Sequence, residues 1–164
     1  MSEVLYFAYG SNLLPARLRA RCPSARLVGA ARLPDFASDY SKRGKDGSGK
    51  ATVFDAPGSV TTGAVFSLSP VCAVTLDGIE GAGYARRVVD VLVGENEVNC
   101  ATYVAVDDAR FSDLTPFAWY KALIVAGLRH HALRNPPLER ARAAADPDVQ
   151  RHVSNMQLIG APNQ

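Results

Sequence analysis

Two short stretches hold side chains and backbone suited to acid–base chemistry. The first is Val4-Leu5-Tyr6-Phe7-Ala8-Tyr9-Gly10-Ser11-Asn12-Leu13, and the second is Leu76-Asp77-Gly78-Ile79-Glu80-Gly81. Val4 to Tyr9 is apolar and aromatic, the pattern of a buried strand. Gly10-Ser11-Asn12 ends it with turn chemistry. A strand that stops in a glycine turn aims several backbone N–H groups one way and can cradle an anion or a developing oxyanion. Glu80 supplies the complementary group. Ser69-Pro70 starts a helix that runs through Leu76-Asp77 and ends near Gly78 or Gly81, with Ser69 as N-cap and Pro70 at the first helical position. A carboxylate at a helix C-terminus faces the unfavourable end of the dipole, and apolar surroundings would add desolvation of the same sign. Both raise a glutamate's pKa, as a general base near neutral pH requires.

Other chemistries find little support. His130, His131 and His152 have no Cys, Asp or Glu at ligand spacing, so no metal is expected. Ser11 is outside a Gly-x-Ser-x-Gly elbow, and Gly10 lacks the companions of a dinucleotide fingerprint, so no cofactor is expected either. Cys22, Cys72 and Cys100 are odd in number, as free thiols in a reducing cytoplasm would be. Cys72 is near Glu80 in sequence but has no histidine beside it to make it a nucleophile. The 18 basic and 16 acidic residues, net charge +2, are too balanced for a nucleic-acid partner. No apolar run reaches membrane-span length, and no signal peptide is expected. A monomer or a homodimer fits equally.

The elements that must position these groups read as follows. Residues 14–22 form a short helix with Asn12 as N-cap, Pro15 in its first turn and its arginines toward solvent. Residues 25–36 read as strands broken by Gly29 and Pro34. Residues 41–50, basic and glycine-rich, read as a mobile surface loop. Strands at 51–55 and 60–68 are joined by a longer loop. Strands at 84–93 and 98–106 form a hairpin turning at 94–97. Arg86 or Arg87 could face a substrate carboxylate, though a solvated arginine is the simpler reading. Helices follow from Phe117 to about Leu133, with Thr115 as N-cap, and from Leu138 to Ala145; the tail from about 147 is irregular. Strands first and helices after predict one α+β domain over 1–164, a small mixed β-barrel or strongly twisted sheet of about six strands flanked by helices.

Tyr6-Phe7-Ala8-Tyr9-Gly10-Ser11-Asn12-Leu13 closely resembles the opening signature of the γ-glutamylcyclotransferase family (AIG2-like), and Leu76-Asp77-Gly78-Ile79-Glu80-Gly81 resembles its second, Leu-Asp-x-x-Glu-Gly. Further similarity lies in Pro23-Ser24-Ala25, in Ala31 to Phe36 and in Trp119-Tyr120-Lys121, so it spans most of the chain to about Ala145. The resemblance implies cyclisation of a γ-glutamyl amide to 5-oxoproline with release of the amine, Glu80 being the acid/base. It implies a small-molecule substrate held by Tyr6, Phe7, Ala8, Tyr9, Gly10, Ser11, Asn12, Tyr84 and Tyr120. Asp77 would be a structural helix-end residue. The step from Glu80-Gly81 to Gly83-Tyr84 is shorter than in the family, which leaves the reach of Tyr84 open. The alternatives are a non-catalytic module binding a γ-glutamyl or other small carboxylated ligand, and a related γ-glutamyl acyltransferase or pathway cyclotransferase.

Overall fold

The structure, a computed structural model, describes residues 2–162. Its described strands form a closed mixed barrel in the order β1-β3-β2-β4-β5, so the expected barrel stands with five strands rather than six. These are β1 (Val4–Ala8), β2 (Arg26–Arg43), β3 (Gly49–Leu68), β4 (Tyr84–Val93) and β5 (Asn96–Ala105). β1 pairs antiparallel with β3, while Tyr6 meets Ala101 of β5 in a parallel contact that closes the barrel. Closure removes the exposed edges that an open sheet would present.

The strand count differs because β2 and β3 are very long. The residues read as breaks sit in bulges instead. Pairing slips between Leu27 and Gly29 and between Pro34 and Phe36. At the second slip Asp35 takes a positive φ of 64°, and its carboxylate accepts from the Gly58 amide at 2.9 Å, Gly58 itself having φ 84°. Pro34 and Gly58 therefore bend the pair without ending it, as bulges do at barrel corners. A bend of this kind lets two long strands wrap a small barrel.

Residues 41–50 are also part of this pair. The expected mobile loop is an ordered hairpin end. Gly44 N–H donates to Ser48 at 2.9 Å, Gly47 lies at φ 81°, and Asp46 accepts from the Ser48 amide and hydroxyl at 2.9 and 2.6 Å. Ser41, Lys42, Ser48 and Gly49 are buried.

Among the described residues five α-helices surround the barrel: α1 (Pro15–Arg21), α2 (Pro70–Glu80), α3 (Ala118–His130), α4 (Pro136–Arg140) and α5 (Val149–Met156). α2 begins as its sequence predicts, the Ser69 hydroxyl accepting from Cys72 N–H. α3 is capped at Phe117, not Thr115, because Gly49 N–H takes the Thr115 carbonyl and ties that segment to β3. α4 stops at Arg140, since Ala144 bonds back to Pro116 and Ala118 in extended form. The tail expected to be irregular contains α5. Asp148 caps it, and Asp146 pins it by accepting from Trp119 Nε1 at 2.8 Å and from Nε and Nη2 of Arg151.

The core fills the barrel with Phe7, Val53, Val65, Phe66, Leu68 and Val91, and continues between barrel and helices through Leu13, Leu18, Leu76, Leu123 and Ile124. Gly63 lies where β1 crosses β3. A Cβ there would come 2.2 Å from the Ala8 carbonyl oxygen and 2.7 Å from the Phe7 ring. Gly63→Ala is expected to lower stability by about 1–3 kcal/mol, read as the shift of the urea midpoint at unchanged slope; an unshifted midpoint would contradict this packing.

Candidate active site

The open end of the barrel carries a cavity of about 220 Å³. Tyr6, Tyr9, Gly10, Ser11, Asn12, Glu80, Tyr84 and Tyr120 of the predicted set line it. Phe7 and Ala8 do not; both are fully buried in the core, where they shape β1 without facing the cavity.

β1 delivers the first group. Beyond its end, Ser11–Leu13 forms a 3-10 turn rather than the N-cap of α1: Leu13 N–H returns to the Gly10 carbonyl at 3.1 Å and Leu14 N–H to Ser11 at 3.3 Å. α1 is therefore capped at Leu14, with no side-chain bond. That frees the Asn12 side chain. Its amide nitrogen donates to the Tyr6 hydroxyl at 3.1 Å and to Glu80 Oε1 at 3.1 Å, while its carbonyl accepts from Arg21 at 3.1 Å.

α2 delivers Glu80 as its last residue, and Gly81 turns the chain away at φ 75°. The helix end is fastened by Asp77, which accepts from Arg86 and, at 2.6 Å, from the Tyr103 hydroxyl. Asp77 thus acts as the expected structural residue. Arg86 is committed to it, and Arg87 pairs with Asp55; neither lines the cavity. Only 16% of the Glu80 side chain is exposed. Burial pushes its pKa above the usual carboxylate range, against the opposing pull of Arg21 at 3.9 Å, the Asn12 hydrogen bond, Arg17 and Lys42.

The tyrosines divide into two kinds. Tyr9 and Tyr84 spend their hydroxyl protons on the carbonyls of Tyr103 and Ala51, at 2.5 and 2.6 Å. Tyr84 does reach the cavity, with the short step after Glu80 in place. Tyr6 and Tyr120 instead accept, from Asn12 and from Ala51 N–H at 3.0 Å, and their protons have no acceptor among the described residues. Burial keeps both phenols protonated, that of Tyr120 with a pKa of about 12. Each is a donor free for a ligand.

Several lining residues were not foreseen. Arg17 and Arg21, expected in solvent, lie one helical turn apart on the face of α1 that meets the cavity. Their i, i+4 spacing directly after the glycine turn was the available signal. Arg17 bonds Asn155 of α5 at 2.8 Å and lies over the Trp119 ring. Lys42, Lys45, Asp46 and Lys50 come from the hairpin read as a loop, and Tyr103 from β5. Pairing across the barrel brings these together, and no local motif marks them. Cys72 is outside the cavity.

A buried, protonatable glutamate facing a glycine turn, ringed by tyrosines and cations, sits on the same framework as known proteins. The family described as γ-glutamyl cyclotransferase, AIG2-like, matches residues 6–121. The chain belongs to this family. It is 33% identical over 159 residues to the γ-glutamylcyclotransferase of Homo sapiens, spanning 92% of this chain and 83% of that one. It is 35% identical over 144 residues to that of Bos taurus, spanning 82% and 73%. A solved γ-glutamyl cyclotransferase superposes with TM-score 0.80 at 28% identity, over 93% of this chain and 99% of the other. The chain is accordingly an enzyme of the cyclotransferase type.

The electrostatics of Glu80 are open to measurement. Arg21 lowers its pKa, so Arg21→Met is expected to move the acid limb of the pH–kcat/KM profile to higher pH, starting from a limb already above the ordinary glutamate value of roughly 4.3. A limb that moves to lower pH would contradict this coupling.

Proposed function

We propose that the chain converts a γ-glutamyl amide to 5-oxoproline and a free amine, with Glu80 as acid and base. The observation carrying this reading is the carboxyl of Glu80, buried beside the 10–12 turn and bonded to Asn12, with its pKa raised by that burial. The substrate's α-amino nitrogen attacks its own γ-carbonyl carbon, so no protein nucleophile is needed. Ser11 accordingly contributes its backbone amide and no attacking hydroxyl. Ring closure is intramolecular, and a cavity that holds the glutamyl chain folded supplies much of the rate.

Glu80 first takes a proton from the α-ammonium, whose pKa is roughly 8 in a free amino group. The C–N bond of the five-membered ring forms, and charge collects on the carbonyl oxygen. The amides of the 10–12 turn and the hydroxyls of Tyr6 and Tyr120 are the donors available to it. Glu80 then returns its proton to the departing nitrogen as the amide C–N bond breaks, and the surplus proton left on the ring nitrogen passes through Glu80 to the released amine, which departs as an ammonium. No water is consumed and no cofactor enters the balance. Arg17 and Arg21 supply positive charge for the glutamyl α-carboxylate. The three free thiols fit a reducing, cytoplasmic setting.

Release of 5-oxoproline from γ-glutamyl dipeptides and γ-glutamyl amines tests the activity; no product from any of them would leave the binding module as the better reading. Glu80→Gln is expected to lower kcat by about 10²–10⁴-fold. The same variant should melt no lower than the parent at pH 8, because it removes a carboxylate that burial disfavours. A group whose folded pKa is raised costs stability above that pKa, and this cost fades as pH falls through it toward the unfolded value. The advantage of Glu80→Gln should therefore shrink on acidification, as followed by thermal denaturation at pH 4 to 8. Full turnover by Glu80→Gln would remove Glu80 from its role.

A further inference from the structure

One wall of the cavity holds an ammonium that no described residue pairs directly. Lys42 is only 8% exposed. Its ammonium lies 4.8 Å from the centre of the Tyr84 ring, and no described carboxylate is within ion-pair distance of it. A buried lysine without an anionic partner is rare, since desolvation opposes its charge.

The surroundings are shaped for this side chain. Gly83 has no Cβ where Lys42 passes; one there would be 2.6 Å from Cε and 2.9 Å from Nζ. Lys42 is also the direct cross-strand partner of Lys50. Directly opposed residues of an antiparallel pair point to the same face, and like charges placed so repel. Asp46 pairs directly with Lys50, at 3.0 Å, and acts on Lys42 only at longer range. Two lysines of one cavity wall, only one of them in a direct ion pair, offer a place for an anion.

The net charge of the lining sets how much anion. Arg17, Arg21, Lys42, Lys45 and Lys50 contribute five positive charges, Asp46 and Glu80 two negative, leaving three positive. With Glu80 still ionised the substrate keeps its α-ammonium, so a γ-glutamyl conjugate of a neutral amino acid carries one net negative charge. A conjugate of a dicarboxylic amino acid carries two, and comes closer to balancing the lining. The extra acid group is the side chain of the leaving amino acid. The hairpin that carries Lys42 and Lys50 borders solvent, with Arg43, Lys45 and Gly47 exposed.

We propose that Lys42, with Lys50 opposite it, forms an acid-group subsite for the leaving amine and selects γ-glutamyl conjugates of acidic amino acids. This rests on the cyclotransferase reading of the same cavity. The subsite pairs an ammonium with a carboxylate and takes no part in the bond-making steps. Lys42 is therefore a specificity residue, and its effect should fall on KM.

γ-Glutamylglutamate and γ-glutamylglutamine differ by one charge at nearly equal size, and so isolate the contact. Initial rates of 5-oxoproline formation are measured with both, for the parent, Lys42→Met and Lys42→Arg. The parent is expected to show a KM about tenfold lower for the glutamate conjugate. Lys42→Met should erase that ratio, and Lys42→Arg, which keeps the charge, should retain most of it. Equal KM values in the parent would overturn the proposal. So would a Lys42→Met variant that loses equally on both substrates, which would place Lys42 at the glutamyl half or in the framework. Calorimetric titration of both dipeptides into Glu80→Gln, with and without Lys42→Met, reads the same ratio as Kd without turnover. If neither dipeptide yields 5-oxoproline, the cyclotransferase reading fails, while the calorimetric ratio still decides for or against Lys42.

Discussion

The site depends on holding one carboxyl group out of water while keeping it able to ionise. Glu80 ends a helix and lies against the turn that ends β1, with the Asn12 amide joining two parts of the chain 68 residues apart. That hydrogen bond and the Arg21 guanidinium favour the charged form, and burial favours the neutral one. Desolvation is the largest of these influences, and the net shift is upward. A fully buried carboxyl without Asn12 and Arg21 would stay protonated and could not take up a proton. One left in water would be too weak a base near neutral pH.

The remaining structure can be understood as support for that balance. The closed barrel fixes the end of β1 relative to β5 and β3, and so fixes the turn. Asp77, gripped by Arg86 and Tyr103, holds the end of α2 to the sheet that carries Tyr84. Ala51 lies between two phenols, its carbonyl accepting from Tyr84 and its amide donating to Tyr120. α5 braces Arg17 through Asn155, and Arg17 also lies over Trp119, whose indole donates to Asp146 at the foot of α5. Each contact fixes a group that faces the cavity, and almost all join residues far apart in sequence.

Some of this is legible in local pattern because its cause is local. The Ser69-Pro70 start of α2, the apolar run of β1 and the β4–β5 hairpin follow from capping, periodicity and turn preference. Where local pattern fails, a distant partner overrides it. Pro34, Gly29 and Gly58 are breakers in isolation, yet here they lie in bulges of a continuous pair. Residues 41–50 lack apolar anchors, but their backbone is fixed by pairing and by Asp46. α5 has no buried residue of its own to mark it; Asp148 and Asp146 hold it.

The sequence by itself determined the two halves of the proposed site: a glycine turn and a helix-end glutamate. Those depend on residue type and short spacing, which need no partner to be read. Only the tertiary structure decided that Asn12 bridges them instead of capping a helix, and that Phe7 and Ala8 are core. It alone decided that the charges of α1 and of the β2–β3 hairpin converge on one cavity. Side-chain direction and burial depend on strand register and barrel closure, and these are set by contacts between residues that the chain itself keeps far apart.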